Sequence, residues 1–168
     1  MKGFENKEIS FKSTLKNFHL IEQFVDEISD YYHINNTYYG NILVAISEAF
    51  ENAVNHGNQK DENKSVTIRF ENEPYGFNFI IKDEGKGFNF KEIPELNDFF
   101  EKTQQKESQG FFLIKTLTDG IEFNEIGNEI KLIFKISSIN KELSINRMNS
   151  LNEYNLEILK TNQLKNQE

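Results

Sequence analysis

One run of the chain restricts its fold more than any other: residues 37–56, where two residue classes take opposite arcs of one helix. Ile42, Leu43, Ile46, Ala49, Phe50, Ala53 and Val54 recur at the spacing of an apolar helix face. Glu48, Asn52 and Asn55 fall at i, i+4 and i+7, so their side chains share one polar stripe. The pattern predicts a helix from about Thr37 to His56, stopped by Gly57-Asn58, a pair suited to a left-handed C-terminal residue. The apolar arc requires a core to bury it, and the polar stripe is left for chemistry.

The flanking segments say what that core is made of. Ile9 and Phe11 alternate within Lys7 to Ser13, a short strand. Leu15, Phe18, Ile21, Phe24, Val25 and Ile28 follow at helical spacing, with Ser13 or Thr14 as the cap and Asn35-Asn36 as the break. Val66, Ile68 and Phe70, then Phe77, Phe79 and Ile81, alternate on either side of Glu73-Pro74-Tyr75-Gly76, which reads as a hairpin. From Gly85 to about Gln109 periodicity is weak, as in a functional lid. Phe111 to Leu117 suggests a short helix, and Ile121 to Phe123 with Ile130 to Ile136 a second hairpin around Glu125-Ile126-Gly127-Asn128. Hairpins with the main helices grouped in sequence predict an α+β fold: a two-layer α/β sandwich with a mixed, mostly antiparallel sheet and helices on one face. The domain is expected over residues 1–138, with 139–168 a helical or partly disordered tail.

Composition narrows the function classes. A chain of 168 residues is long enough to bury roughly 70% of its unfolded surface in one core. The net charge of -8 argues against nonspecific binding to nucleic acid or an anionic membrane, which needs a basic surface. The absence of Cys excludes disulfides, thiolate catalysis and thiolate metal sites. Neither a signal-peptide pattern nor an apolar run near the roughly 20 residues of a membrane span is present, so a soluble, cytoplasmic protein is expected.

The polar stripe has a defined chemical use. A Glu within reach of a hydroxyl proton serves as general base, and an Asn one turn away offers its carbonyl oxygen to Mg2+, which takes its other ligands from water and substrate phosphates. Asp83 continues the alternation of Phe77, Phe79 and Ile81 and so lies on the same sheet face. Its carboxylate can accept from an exocyclic amine such as adenine N6, while Gly85 and Gly87 leave the backbone open to a planar base. Gly110 precedes the predicted helix start at Phe111, where backbone N–H groups and the helix dipole hold phosphate, and Lys106 is placed to neutralise a transferring phosphoryl group. Each feature alone also reads as ordinary structure: a solvated helix face, a turn, a helix start, a loop cation. The ordered set is what points to an ATP site.

These residues resemble the boxes of the GHKL, or Bergerat-fold, ATPases, and within them the small bacterial anti-sigma-factor serine kinases. The N box looks like Glu48-x-x-x-Asn52-Ala53-Val54-x-His56-Gly57, the first glycine box like Asp83-x-Gly85-x-Gly87-Phe88, and the second like Ser108-Gln109-Gly110-Phe111-Phe112-Leu113-Ile114. The resemblance implies ATP held between helices and a mobile lid, with Glu48 the catalytic base, Asn52 the Mg2+ ligand and Asp83 the adenine contact. It places Gly85, Gly87 and Gly110 in the lid and phosphate cradle, Asn55, His56, Phe88, Ser108 and Phe111 at the nucleotide, and Lys106 beside the transferred phosphate. Three positions depart from the pattern: Ser108 stands for a Gly, Lys106 for an Arg, and Glu129 for a Thr near the nucleotide.

The resemblance further implies phosphorylation of a Ser or Thr on an anti-anti-sigma (STAS-domain) protein, sequestration of a sigma factor, and a homodimer. The alternative of a different class is a nucleotide-dependent module that sequesters a protein without catalysis.

Overall fold

The computed structural model describes residues 6–90, 93, 106–135 and 149–156. The chain divides into two units, Met1–Ile136 and Ser137–Glu168. In the second, residues 149–156 are helical.

In the first unit the five strands are β1 (Asn6–Lys12), β2 (Ser65–Glu73), β3 (Gly76–Asp83), β4 (Gly120–Phe123) and β5 (Glu129–Lys135), in sheet order β1-β2-β3-β5-β4. Every pairing is antiparallel, so the sheet expected to be mostly antiparallel is wholly so among the described residues. The β2–β3 hairpin pairs Glu73 with Gly76 around Pro74-Tyr75, where proline presets the turn.

The helices are α1 (Phe18–Tyr32), preceded by a 3-10 turn at Leu15–Asn17, α2 (Asn36–Asn52) and α3 (Lys106–Leu117). Ser13 and Thr14 do not cap α1. Its N-cap residue is Asn17, which makes no side-chain cap bond, and Ser13 is buried. Asn35 does cap α2, its Oδ1 accepting the Tyr38 N–H at 3.0 Å. His33 ends α1 in the left-handed region, φ 52°.

Register explains the core. Phe11, Val66 and Asp83 lie in one cross-strand row, Ile68 and Ile81 in the next, then Phe70, Phe79 and Leu132. This face is buried against Ile21, Phe24, Val25 and Ile28 of α1 and Ile42, Ile46, Ala49 and Phe50 of α2. Phe70 and Phe79 meet at 5.3 Å between ring centroids, Phe79 and Phe134 at 6.0 Å, and Phe11 and Phe50 edge to face at 6.3 Å. Each such ring contributes about 1.5–3 kcal/mol by burial.

The other sheet face is polar. Glu8, Arg69, Ile80, Lys131 and Glu122 form one row across all strands, with Arg69 pairing to Glu8 (3.7 Å) and Lys131 to Glu122 (4.0 Å). No helix among the described residues is long and apolar enough to cross a membrane.

Candidate functional site

Where α2 ends, the helix widens. Ala53–Gly57 is a π turn, closed by Asn58 N–H donating to the Ala53 carbonyl at 2.7 Å. The predicted stop at Gly57-Asn58 moves accordingly. Asn58 has right-handed backbone geometry, and the left-handed residues are Gln59 (φ 56°) and Lys60 (φ 61°).

Asn52 and His56, one turn apart, both line a cavity of about 310 Å³, with Ala49, Ala53 and Gly57 beside them. Asn55 is set apart: its Nδ2 donates to Glu51 Oε1 at 3.3 Å, and it does not line the cavity. Nor does Glu48: Ala49, Asn52, Ala53 and His56 are spaced i, i+3, i+4 and i+7, a face next to the edge that Glu48 and Asn55 share.

The sheet supplies the floor through Ile81, Asp83, Phe123 and Ile130, and α3 one wall through Phe111 and Ile114. Phe88 and Gly87 come from the loop after β3, Gly127 and Asn128 from the β4–β5 turn. Phe123 is stacked between Phe90 (4.9 Å, 15° between planes) and Phe111 (5.9 Å, 17°), with Phe88 edge-on at 5.6 Å. An aromatic wall of this kind suits a planar ring.

Gly87 (φ +76°) and Gly127 (φ +80°) face each other: a Cβ on the first would run into the Ile126 carbonyl, and on the second into the Phe88 carbonyl. Only glycine at both lets the two loops meet. Gly85 packs on the Gly57 backbone and lies behind the cavity rather than on its surface.

Two carboxylates carry the electrostatics. Glu48, one turn before Asn52 on α2 and beside Gly110 of α3, is half-buried, and desolvation pushes its pKa up, with Glu51 adding to the rise. Asp83 is also raised by desolvation, opposed by the Gly85 N–H, which donates to its Oδ1 at 2.7 Å, and by Lys64.

Gly110 differs from its expected place. α3 begins at Lys106, so Gly110 is inside the helix and not ahead of it, and its free N–H groups are not those of a helix start. A Cβ there would meet Glu48 Oε2, the movable end of that side chain, so a larger residue would displace the carboxylate. Lys106 and Ser108 belong to the first turn of α3, and their side chains lie outside the described residues, as does most of the expected lid. Glu129 lines the cavity, but it is paired in register with Lys82 and its carboxylate lies 3.7 Å from Lys82 Nζ, on the polar sheet face.

Among the described residues no group of three or more His, Cys, Asp or Glu converges on a metal position. Asn52, which lines the cavity, carries an amide oxygen, a neutral donor that fits a hard cation taking most of its ligands from a bound phosphate. The cavity fits a nucleotide base: apolar and aromatic walls, one carboxylate on the floor, glycines where the backbone must come close.

Comparison with known proteins agrees. A family model described as a histidine kinase-like ATPase domain matches residues 11–134. The serine-protein kinase RsbW of Oceanobacillus iheyensis is 30% identical to this chain over 88 residues, which is 49% of this chain and 56% of that protein. The match thus spans about half the length of the relative.

Proposed function

Because the chain belongs to the histidine kinase-like ATPase domain family, we propose that its cavity binds ATP and that Glu48 and Asn52 make it a protein serine/threonine kinase. The observation that carries this reading is one aromatic-walled cavity lined by Asn52 of α2 and Asp83 of the sheet, with the half-buried Glu48 one turn before Asn52 on the same helix.

Asp83 accepts a hydrogen bond from the adenine amine. Phe111 and Phe123 form part of the wall beside the ring, and the Gly87–Gly127 contact holds the two loops that close over it. Asn52 presents its amide oxygen to Mg2+, which screens the charge on the phosphates when bound. Glu48 takes the proton of the attacking Ser or Thr hydroxyl as that oxygen bonds to the γ-phosphorus and the β–γ bridge breaks, releasing ADP. Its raised pKa makes it a stronger base than an exposed glutamate. Gly110 keeps the approach of α3 open beside it. His56 lines the cavity at the end of the same helix.

The partners proposed with it, on the resemblance of the three sequence boxes to the anti-sigma-factor serine kinases and on the acidic charge, are an anti-anti-sigma STAS-domain protein as phosphate acceptor, a sigma factor as the sequestered protein, and a second copy of the chain. The ATP domain is assigned to residues 1–138, with 139–168 as an appendage, and the setting to the bacterial cytoplasm.

Transfer of labelled γ-phosphate from Mg-ATP to candidate STAS-domain proteins tests this. The parent should transfer, and Glu48→Ala and Asn52→Ala should each lose at least about a hundredfold. Glu48→Ala as fast as the parent would contradict the kinase reading. Nucleotide binding with no transfer to any acceptor would favour the sequestering module.

A further inference from the structure

Two asparagines that the chemistry above does not use hold the backbone on either side of Asp83. Asn58, directly after the π turn, is wholly buried with its amide fully engaged. Its Nδ2 donates to Ser13 Oγ (3.1 Å) and the Ser65 carbonyl (2.9 Å), and its Oδ1 accepts the Glu84 N–H (2.9 Å). The ends of β1 and β2 are thereby tied to the residue after Asp83.

Asn128 grips from the other side. The β3–β5 ladder ends at Lys82 and Glu129, yet Asp83 N–H donates to the Asn128 carbonyl (3.0 Å) and Asn128 Nδ2 donates to the Asp83 carbonyl (3.2 Å). A side-chain amide takes over the ladder where strand pairing stops. Asn124 fixes that amide, its Nδ2 donating to Asn128 Oδ1 (2.7 Å) and its Oδ1 accepting the N–H groups of Gly127 (2.8 Å) and Asn128 (3.1 Å). Between the two grips, Asp83 Oδ1 is held by the Gly85 N–H.

A lone acceptor discriminates between bases only when it cannot turn away from the wrong one. Facing a 6-oxo group, a fixed carboxylate leaves two buried acceptors unpaired, whereas a mobile one escapes to solvent. Resting on the nucleotide reading above, the geometry points to Asn58 and Asn128 as positioning residues that fix the direction of the Asp83 carboxylate. The cavity then selects a purine with a 6-amino donor over one with a 6-oxo acceptor.

The test is the ratio of dissociation constants for ATP and inosine triphosphate, measured with Mg2+ on the full chain. The parent should prefer ATP by roughly ten- to a hundredfold, and Asp83→Asn, whose amide can donate, should erase or reverse the preference. Asn128→Ala should cut the ratio at least about threefold. Asn58→Ala should cut it likewise, with a lower Tm from the lost ties to β1 and β2. Tyr38→Phe removes a hydrogen bond to the Lys135 carbonyl at the opposite end of the sheet, and should lower Tm without moving the ratio. A full parental ratio in Asn128→Ala, with Asp83→Asn shifted, would overturn the positioning role alone. A parent that binds neither triphosphate would overturn the nucleotide reading and this inference with it.

Discussion

Glu48 shows how the burial of one carboxylate ties stability to pH. Burial and Glu51 raise its pKa, so the folded chain holds the proton more tightly than the unfolded chain does. Stability linked to this group is therefore greatest at low pH, and is lost as pH rises from the unfolded pKa through the folded one. At neutral pH the ionised carboxylate weakens the fold and is the form that can accept a proton. Glu48→Gln should lower phosphate transfer at least about a hundredfold and leave ATP affinity within about threefold. Its Tm should match or exceed the parent's at pH 7.5, an advantage that disappears in acid, and thermal melts across pH read this directly. For the parent, the acid limb of kcat/KM should lie above the ordinary glutamate range. Helix and strand periods put Asn52 and Asp83 on faces that line the cavity, and those two positions were legible in the sequence. Which of two neighbouring faces of α2 turns to the cavity was not, and neither was the π turn, since nothing in Ala53–Gly57 signals one. Asn55→Ala should leave ATP affinity within about twofold, measured by titration.

The meeting of α2 and α3 is the element-scale feature the site depends on. Gly110 has no side chain to push Glu48 aside, and an interior helix glycine costs up to about 1 kcal/mol relative to alanine. Gly110→Ala should therefore raise Tm or leave it unchanged, yet slow transfer roughly tenfold or more by displacing the Glu48 carboxylate. Equal kcat in the two proteins would show that this contact is not needed. The strands were readable from alternation, and the Pro74 hairpin from its turn chemistry. The start of α3 was not readable, because Lys106 to Gln109 carries no apolar periodicity to announce a helix. Sheet order was also hidden, since alternation assigns residues to faces but does not say that β5 lies between β3 and β4. The Asn58 and Asn128 ties join segments far apart in the chain and leave no local pattern.

At the scale of the molecule, one apolar sheet face supports both the helices and the cavity floor, so core and site are continuous. Phe79, wholly buried on the central strand between Phe70 and Phe134, stands for this. Phe79→Ala should cost about 3–5 kcal/mol, a large part of the stability of a single domain, and denaturant unfolding reads the loss. The acidic surface belongs to partner choice. With a net charge of -8, association with a basic protein face should slow several-fold between low and physiological salt, whereas ATP affinity should change much less. An Mg-ATP titration followed by amide NMR asks whether the cavity between α2, α3 and the end of β3 is the ATP site. Saturable shifts are expected at Asn52, Gly57, Asp83, Gly87, Phe111 and Asn128, with little change at Glu8, Arg69 and Glu122 on the far sheet face. Saturable shifts confined to that far face, or none at the cavity at saturating nucleotide, would contradict that assignment.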